Sequence, residues 1–452
     1  MEDMTSSAAN DSFVAEAEAE AEAKKEKEAD ALARLVLRHY EGLSGRVKPA
    51  TRSNGQREWT VLAGLVLKRA ATGAVSDKGT TAPTLHVAAL ATGNKSLRAD
   101  RVPDSHGRWV HDCHAEILVL RAFHRFLLEL LAPEQSALRQ TFLHEPLSDH
   151  GLWRWRAEWE LHLVITAVPC GDASMENTMA DQADATPWRL RDGDPHQYKQ
   201  QDQVADHSVL RGRAHFDRLG CLRTKPGRAD AMASTWKSCT DKLALLPAVS
   251  LLKTLGHLFY DAEHLHLTSI ILPKAHTHIA SCQRGLLERF GKTDHAHPVF
   301  QISTTSVLDG FVDRQLADRV SSNVSYVAIP LLHMQESLSE GRRLGSSKAS
   351  ARSMSILSKR ACFGLAARYM PSIAPLTYQD AKQQHCAAVH QHRKARRKQL
   401  GHWVDGLDNT FRLDEDRPPD TKDAQKRKRK RDKAIEDPSA LEKCIRVGTD
   451  GS

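Results

Sequence analysis

No apolar run in this chain of 452 residues approaches the ~20 residues that span a bilayer, so a membrane-crossing segment is not expected. The opening stretch MEDMTSSAANDSF lacks a basic region and an apolar core, which argues against a secretory signal. Cysteine is sparse: eight residues at irregular spacing do not form a disulfide framework. These absences point to an intracellular protein with reduced thiols. No internal repeat is visible beyond an N-terminal Glu-Ala tract. What is present suffices for a fold: 40% hydrophobic residues can fill one large core or two ordinary ones.

Charge is unevenly spread. The net charge is +8, yet residues 1–30 carry ten acids against three lysines. Residues 422–433 carry eight bases against two acids, so the body between these ends is itself basic. A basic body suits a polyanionic partner, nucleic acid first, although a high isoelectric point also simply keeps proteins soluble. No feature calls for an obligate protein partner.

The acidic stretch with AEAEAEAEA has no apolar face to pack, so 1–30 is expected to be a disordered leader. Helical spacing begins at ALARLVLRHYEGL (31–43). Strands are expected at 58–70, 84–93, 159–168 and 266–273, and a helix from about His114 to Leu131, stopped by Pro133. The span 178–235 is polar and reads as a long insertion, whereas 239–259 reads as helical. Short apolar runs and helices alternate to about 412, and 413–452 reads as a basic, disordered tail. Alternating strands and helices argue an α/β fold, a mixed sheet flanked by helices.

Chemistry concentrates at DCHAEILVLR (112–121). At the first turn of a buried helix, His114 can hold a metal while Glu116 reaches the water beside it. Zinc nucleobase deaminases divide labour this way, with His-x-Glu followed by Pro-Cys. Alone, the motif is equally a capping Asp112 and a satisfied core histidine. Pro169-Cys170 follows a hydrophobic strand, and a thiol at a helix start favours the thiolate. The inert alternative is a buried structural cysteine. The compact Pro-Cys-x-x-Cys pattern fails, because Ala173 occupies its last position. Spacing does not choose a third ligand among Cys113, Cys221, Cys239, Cys282, Cys362, Cys386 and Cys444.

Four segments in order, DCHAEILVLR, VPCGDASMEN, LRTKPGRAD and SCTDKLA, resemble the adenosine deaminases that act on RNA. REWTVLAGLVL, ATGNKSL and LTSIIL extend the likeness over about 31–405. PCGDASME, with no double-stranded-RNA-binding module recognised, is most similar to the branch specific for tRNA. Thr240 and His111 depart from commoner Ser and Asn. The resemblance implies an extended single catalytic domain (31–412) with a cytidine-deaminase-like layered fold. It implies zinc held by His114, Cys170 and Cys239, with Glu116 as the proton shuttle. Three protein ligands leave one position for water, which the metal makes nucleophilic near neutral pH. The implied reaction is adenosine to inosine, with adenosine 37 of alanine tRNA as substrate. The alternatives are another structured RNA, or a non-catalytic RNA-binding relative.

The same resemblance implies inositol hexakisphosphate within the core. Matching positions are Lys95, Arg121, Lys242, Ser250, Tyr378, Lys382 and Trp403. The pattern is incomplete: Leu120, Leu245, Leu246, Ala388 and His392 stand where relatives carry basic or aromatic residues. HRKARRK (392–398) fits phosphates or a solvated helix face. Lys426–Arg431 reads as a nuclear localisation signal or an RNA-gripping arm, so nucleus and cytoplasm are both expected. The cluster LWRWRAEW is expected to cap a sheet rather than stack on bases.

Overall fold

Eight strands form one mixed sheet in a computed structural model. The model describes residues 2–70, 83–148, 151–181, 209–227, 231–232, 234–291, 294–311, 319–346, 350–401, 403 and 409–414. The strands are β1 (Leu62–Arg69), β2 (Thr84–Thr92), β3 (Trp159–Ile165), β4 (Ser269–Pro273), β5 (Gln301–Thr305), β6 (Val324–Ile329), β7 (Met334–Ser339) and β8 (Arg342–Arg343). Their spatial order is β5-β4-β3-β1-β2-β6-β7-β8. The β3, β4 and β5 strands run parallel, and every other pairing is antiparallel. Residues through Phe411 make one compact unit. The run Lys426–Arg431 lies outside the described residues.

Strand alternation sends Leu62, Gly64 and Val66 of β1 to one face, where α1 (Glu2–Glu41) packs. Ala29, Leu32, Ala33 and Val36 of α1 are buried there, at the i, i+3, i+4, i+7 spacing of one helix face. The contact is close, since a Cβ on Gly64 would lie 2.6 Å from Val36 Cγ2. The boundary expected at residue 30 is therefore not a structural one. The helix runs unbroken through it. Lys274 donates to Glu26, Lys68 to Glu28 and Thr305 to Asp30. Composition missed this, because acidic residues at the end of a docked helix satisfy basic strands beneath.

The second helix, α2 (Ala115–Leu130), packs against β1, β2 and β6. It is buried on nearly every side, and only Arg121, Arg125 and Glu129 escape full burial. Trp155 and Trp159 are buried around Phe142, with rings 5.6 and 4.8 Å from its centroid. They close one end of the sheet.

One expectation needs correction. The span 178–235 is not all insertion: Val209–Arg211 and Leu222–Thr224 pair as parallel strands, and Arg223 and Lys225 are buried. Residues 182–208 lie outside the described ones. The span 239–259 is helical as expected, in three pieces: α3 (Cys239–Ala244), a short turn of helix (Leu246–Val249) and a 3-10 segment (Thr254–Leu258). Pro247 and the positive φ of Ser250 (96°) interrupt it.

Candidate active site

The short strand Asp112–His114 pairs with Asn94–Ser96 and leads directly into α2. That places His114 at the helix N-cap and Glu116 in its first turn. β3 delivers Cys170 through Pro169, and Cys239 opens α3. Gly171 has φ of 119°, and a Cβ there would sit 2.2 Å from Ser238 Oγ. Only glycine lets the two cysteine-bearing turns approach so closely. Thr240 joins them further, donating to the carbonyls of Pro169 and Cys170 at 3.1 Å each. Asp172 anchors the Cys170 turn, accepting from the Gly220 N–H at 2.7 Å and from Arg284 Nε at 3.0 Å.

One ligand atom each from His114, Cys170 and Cys239 lies within 4.8 Å of the others. His114 Nδ1 is 3.7 Å from Cys170 Sγ. Zn–S bonds of about 2.3 Å and Zn–N bonds of about 2.0 Å set tetrahedral donors about 3.5 Å apart, so this set fits one zinc ion. Cys170 is held well below the ordinary thiol range by its hydrogen bond with Cys239, then by Lys225 and His114. Cys239 is raised by burial and by that same bond. Glu116 is buried at 3% exposure, and its Oε2 has no hydrogen-bond partner. A buried carboxylate oxygen without a partner is costly unless a bound group uses it.

Lys225, from the span read as an insertion, completes the surroundings. Its Nζ donates to both Asp112 oxygens at 2.8 Å and lies 3.1 Å from Cys239 Sγ. Burial would raise the Asp112 carboxyl, but Lys225 and Lys242 outweigh it and hold it well below the usual carboxylate range. Buried charge survives here because it is paired. Lys242 also donates to Asp112, so a chain of contacts runs from Lys242 through Asp112 and Lys225 to Cys239.

Lys242 stands at the edge of a second cluster. It gathers Arg121 from α2, Lys253, and Arg393 and Arg397 from α5 (Ala387–Gln399). The Tyr378 hydroxyl, from α4 (Tyr378–His385), sits among Arg121, Arg397 and Arg393. Lys382 lies over the Tyr378 ring at 4.6 Å, and Arg397 over Trp403 at 5.5 Å. The Ser250 carbonyl accepts from Arg393 at 3.1 Å. Six of the seven positions expected for the phosphate ligand thus lie in or beside one cluster. Lys95 is placed instead on the strand opposite Cys113, with Nζ donating to Ser321 Oγ at 2.5 Å. His392 donates to the Ala248 carbonyl at 2.9 Å. Leu245 packs with Leu222, Val249, Phe290 and Leu400, so that position is apolar here.

Glu28, Glu160 and His162 form a second group of potential ligands. Lys68 already serves as its cation, donating to both carboxylates.

The profile of the adenosine-deaminase (editase) domain matches residues 89–406. The chain is 36% identical over 244 residues to tRNA-specific adenosine deaminase 1 of Schizosaccharomyces pombe, covering 54% of this chain and 56% of that protein. It is 31% identical over 244 residues to the Saccharomyces cerevisiae protein of the same name, covering 54% and 58%. Double-stranded RNA-specific editase B2 of Mus musculus matches at 29% over 246 residues, covering 49% of this chain and 29% of that protein. The alignments thus span little more than half of each yeast relative. Because the profile takes in most of the chain, including His114, Glu116, Cys170 and Cys239, the chain belongs to the adenosine-deaminase (editase) domain family.

Proposed function

We propose that this chain deaminates adenosine to inosine in tRNA with one zinc ion, and that its target is adenosine 37 beside the anticodon of alanine tRNA. The observation that carries the reaction is the Glu116 carboxylate, buried and without a partner at Oε2, beside three convergent soft donors. The substrate class is supported by the names of the yeast relatives.

His114, Cys170 and Cys239 would hold the ion, which when bound makes water nucleophilic near neutral pH. Glu116 takes the proton of the attacking water as its oxygen bonds to C6. Glu116 then gives that proton to N1, and the proton of the new C6 hydroxyl passes through Glu116 to the amine, so that the C6–N6 bond breaks, ammonia leaves and C6 keeps a carbonyl oxygen. Lys225 keeps positive charge at Cys239, and Asp112 fixes Lys225. The donor amine becomes an acceptor oxygen, so the base pairs like guanine.

A loop base suits such a site, because a few kcal/mol of unstacking are largely spared. Deamination in another structured RNA is the second reading, supported by the likeness to the mouse editase. Purified protein would be given an alanine tRNA transcript and a fully paired duplex of equal length. Reverse transcription should read A-to-G at position 37 of the tRNA and leave the duplex unchanged. Conversion of the duplex alone would favour the second reading. Conversion of neither would contradict both.

We also propose inositol hexakisphosphate as a structural ligand of the cation cluster. The fit rests on Arg393, which is buried, and Lys253, which is partly buried, whose strongest charged neighbours are other cations. Buried charge of one sign calls for a counter-charge. We further propose that Lys426–Arg431 directs the protein to the nucleus.

A further inference from the structure

We propose that one short turn, Gln283–Arg289, is a positioning element for the metal ligands, in which Arg284, Gly285 and Arg289 hold the Cys170 and Cys239 turns at the separation one zinc ion needs. This rests on the zinc reading above, but assigns residues that lie outside its ligand set.

Cys170 and Cys239 lie 69 residues apart in the chain. Both sulfurs must shed their protons to bind a metal, and two thiolates repel one another unless the turns that carry them are fixed. A third element reaches both turns. Gln283–Leu287 is a π-helix, and the Gln283 carbonyl accepts from the Glu288 N–H at 3.0 Å. In an α-helix the residues that share a face stand three or four apart. The wider ring moves that spacing to about five, the separation of Arg284 and Arg289.

Arg284 grips the Cys170 side. Its Nε donates to Asp172 Oδ2 at 3.0 Å, and its Nη2 donates to the Asp172 carbonyl at 3.1 Å and to Glu176 Oε2 at 3.0 Å. Arg289 grips the Cys239 side, with Nη1 donating to Asp241 Oδ1 at 3.1 Å. The other Asp241 oxygen accepts from Ser238 Oγ at 2.6 Å and from the Arg223 N–H at 3.0 Å. Asp172 and Asp241 are both fully buried, so these donors stand in for water. Between the two arginines, Gly285 meets both turns at once. A Cβ there would lie 2.9 Å from the Ala173 nitrogen and 2.9 Å from Thr240 Cγ2. Thr240 is the residue whose hydroxyl already ties the turns together. A π turn is rare and concentrates at functional sites. Here it presents two arginines and a glycine to both cysteine-bearing turns.

The test uses the full chain. Zinc affinity would be measured by competition with a chromophoric chelator, beside thermal unfolding of the same samples and kcat and KM on the alanine tRNA transcript. Gly285→Ala adds one methyl at the contact and removes neither charge nor hydrogen bond. It should weaken zinc binding about tenfold and lower kcat, with KM for tRNA unchanged. Arg284→Met and Arg289→Met should each weaken zinc binding by roughly 10–100-fold, and Arg284→Lys, which keeps a charged donor, by less. Lys68→Met is the control for stability alone, because it breaks the ion pairs with Glu28 and Glu160. It should melt lower and keep zinc affinity within about twofold of wild type. An equal loss of affinity in Lys68→Met would make the effect one of general stability and overturn the positioning role. So would zinc affinity within about twofold of wild type in Gly285→Ala and the folded arginine variants, with the ligand set left standing. A wild type that does not compete for zinc would overturn the zinc reading itself.

Discussion

Glu116→Gln should lower deamination of the tRNA substrate by about 10³-fold, within the 10²–10⁴ range of general acid–base catalysis, while leaving bound zinc unchanged. The amide keeps the size and shape of the side chain in a pocket where Glu116 is nearly inaccessible. It cannot accept the proton of the attacking water. The metal set, His114, Cys170 and Cys239, does not include Glu116, so retention of the ion should be unaffected. Single-turnover rates with saturating tRNA, beside metal analysis of the same samples, separate the two effects. A rate within tenfold of wild type would remove Glu116 from the proton-transfer role. Loss of zinc would make it a structural residue.

Cys239→Ala should abolish both metal retention and activity, whereas Cys113→Ala should keep both. Cys239 is fully buried, and Lys225 sits 3.1 Å from its sulfur. The substitution removes a proposed ligand and the sulfur that, with Asp112, lies within hydrogen-bond distance of that lysine amine. Breaking one partner of a buried charged set costs about 3–5 kcal/mol, so the melting temperature should also fall. Cys113 adjoins His114 in sequence, but strand alternation turns it away, and its sulfur lies 3.8 Å from the Val110 carbonyl. Metal content after dialysis, with thermal unfolding of both variants, checks this. Zinc kept by Cys239→Ala would contradict the ligand set.

These paired cysteines show what sequence could and could not reveal. His114, Glu116 and Cys170 were legible because their signals are local: a polar pair at the start of an apolar helix, and Pro-Cys after a strand. Cys239 was not, because its closeness to Cys170 depends on how two distant turns pack at Gly171. It came only through likeness of whole segments. Lys225 was hidden in a polar stretch whose composition resembles a loop, yet its side chain makes a buried pair with Asp112. In HRKARRK, Arg393 points inward while Lys394 and Lys398 are exposed. A run of like charges does not disclose which member the helix buries. The sheet was plainer, since alternating and continuous apolar runs coincide with β1, β2, β3 and β4. The first helix was misread for the reverse reason. Its acidic residues predict solvation, and their partners Lys68 and Lys274 lie far along the chain.

The most direct measurement is the origin of the new oxygen. Wild-type protein would be incubated with alanine tRNA transcript in ¹⁸O-labelled water, and the digested nucleosides weighed by mass spectrometry. Hydrolytic attack at C6 should yield inosine carrying one solvent oxygen, two mass units heavier than in ordinary water, and Glu116→Gln should form about 10³-fold less of it in the same time. Inosine without the label, or no inosine from a zinc-loaded protein, would contradict a hydrolytic tRNA adenosine deaminase built on His114, Glu116, Cys170 and Cys239.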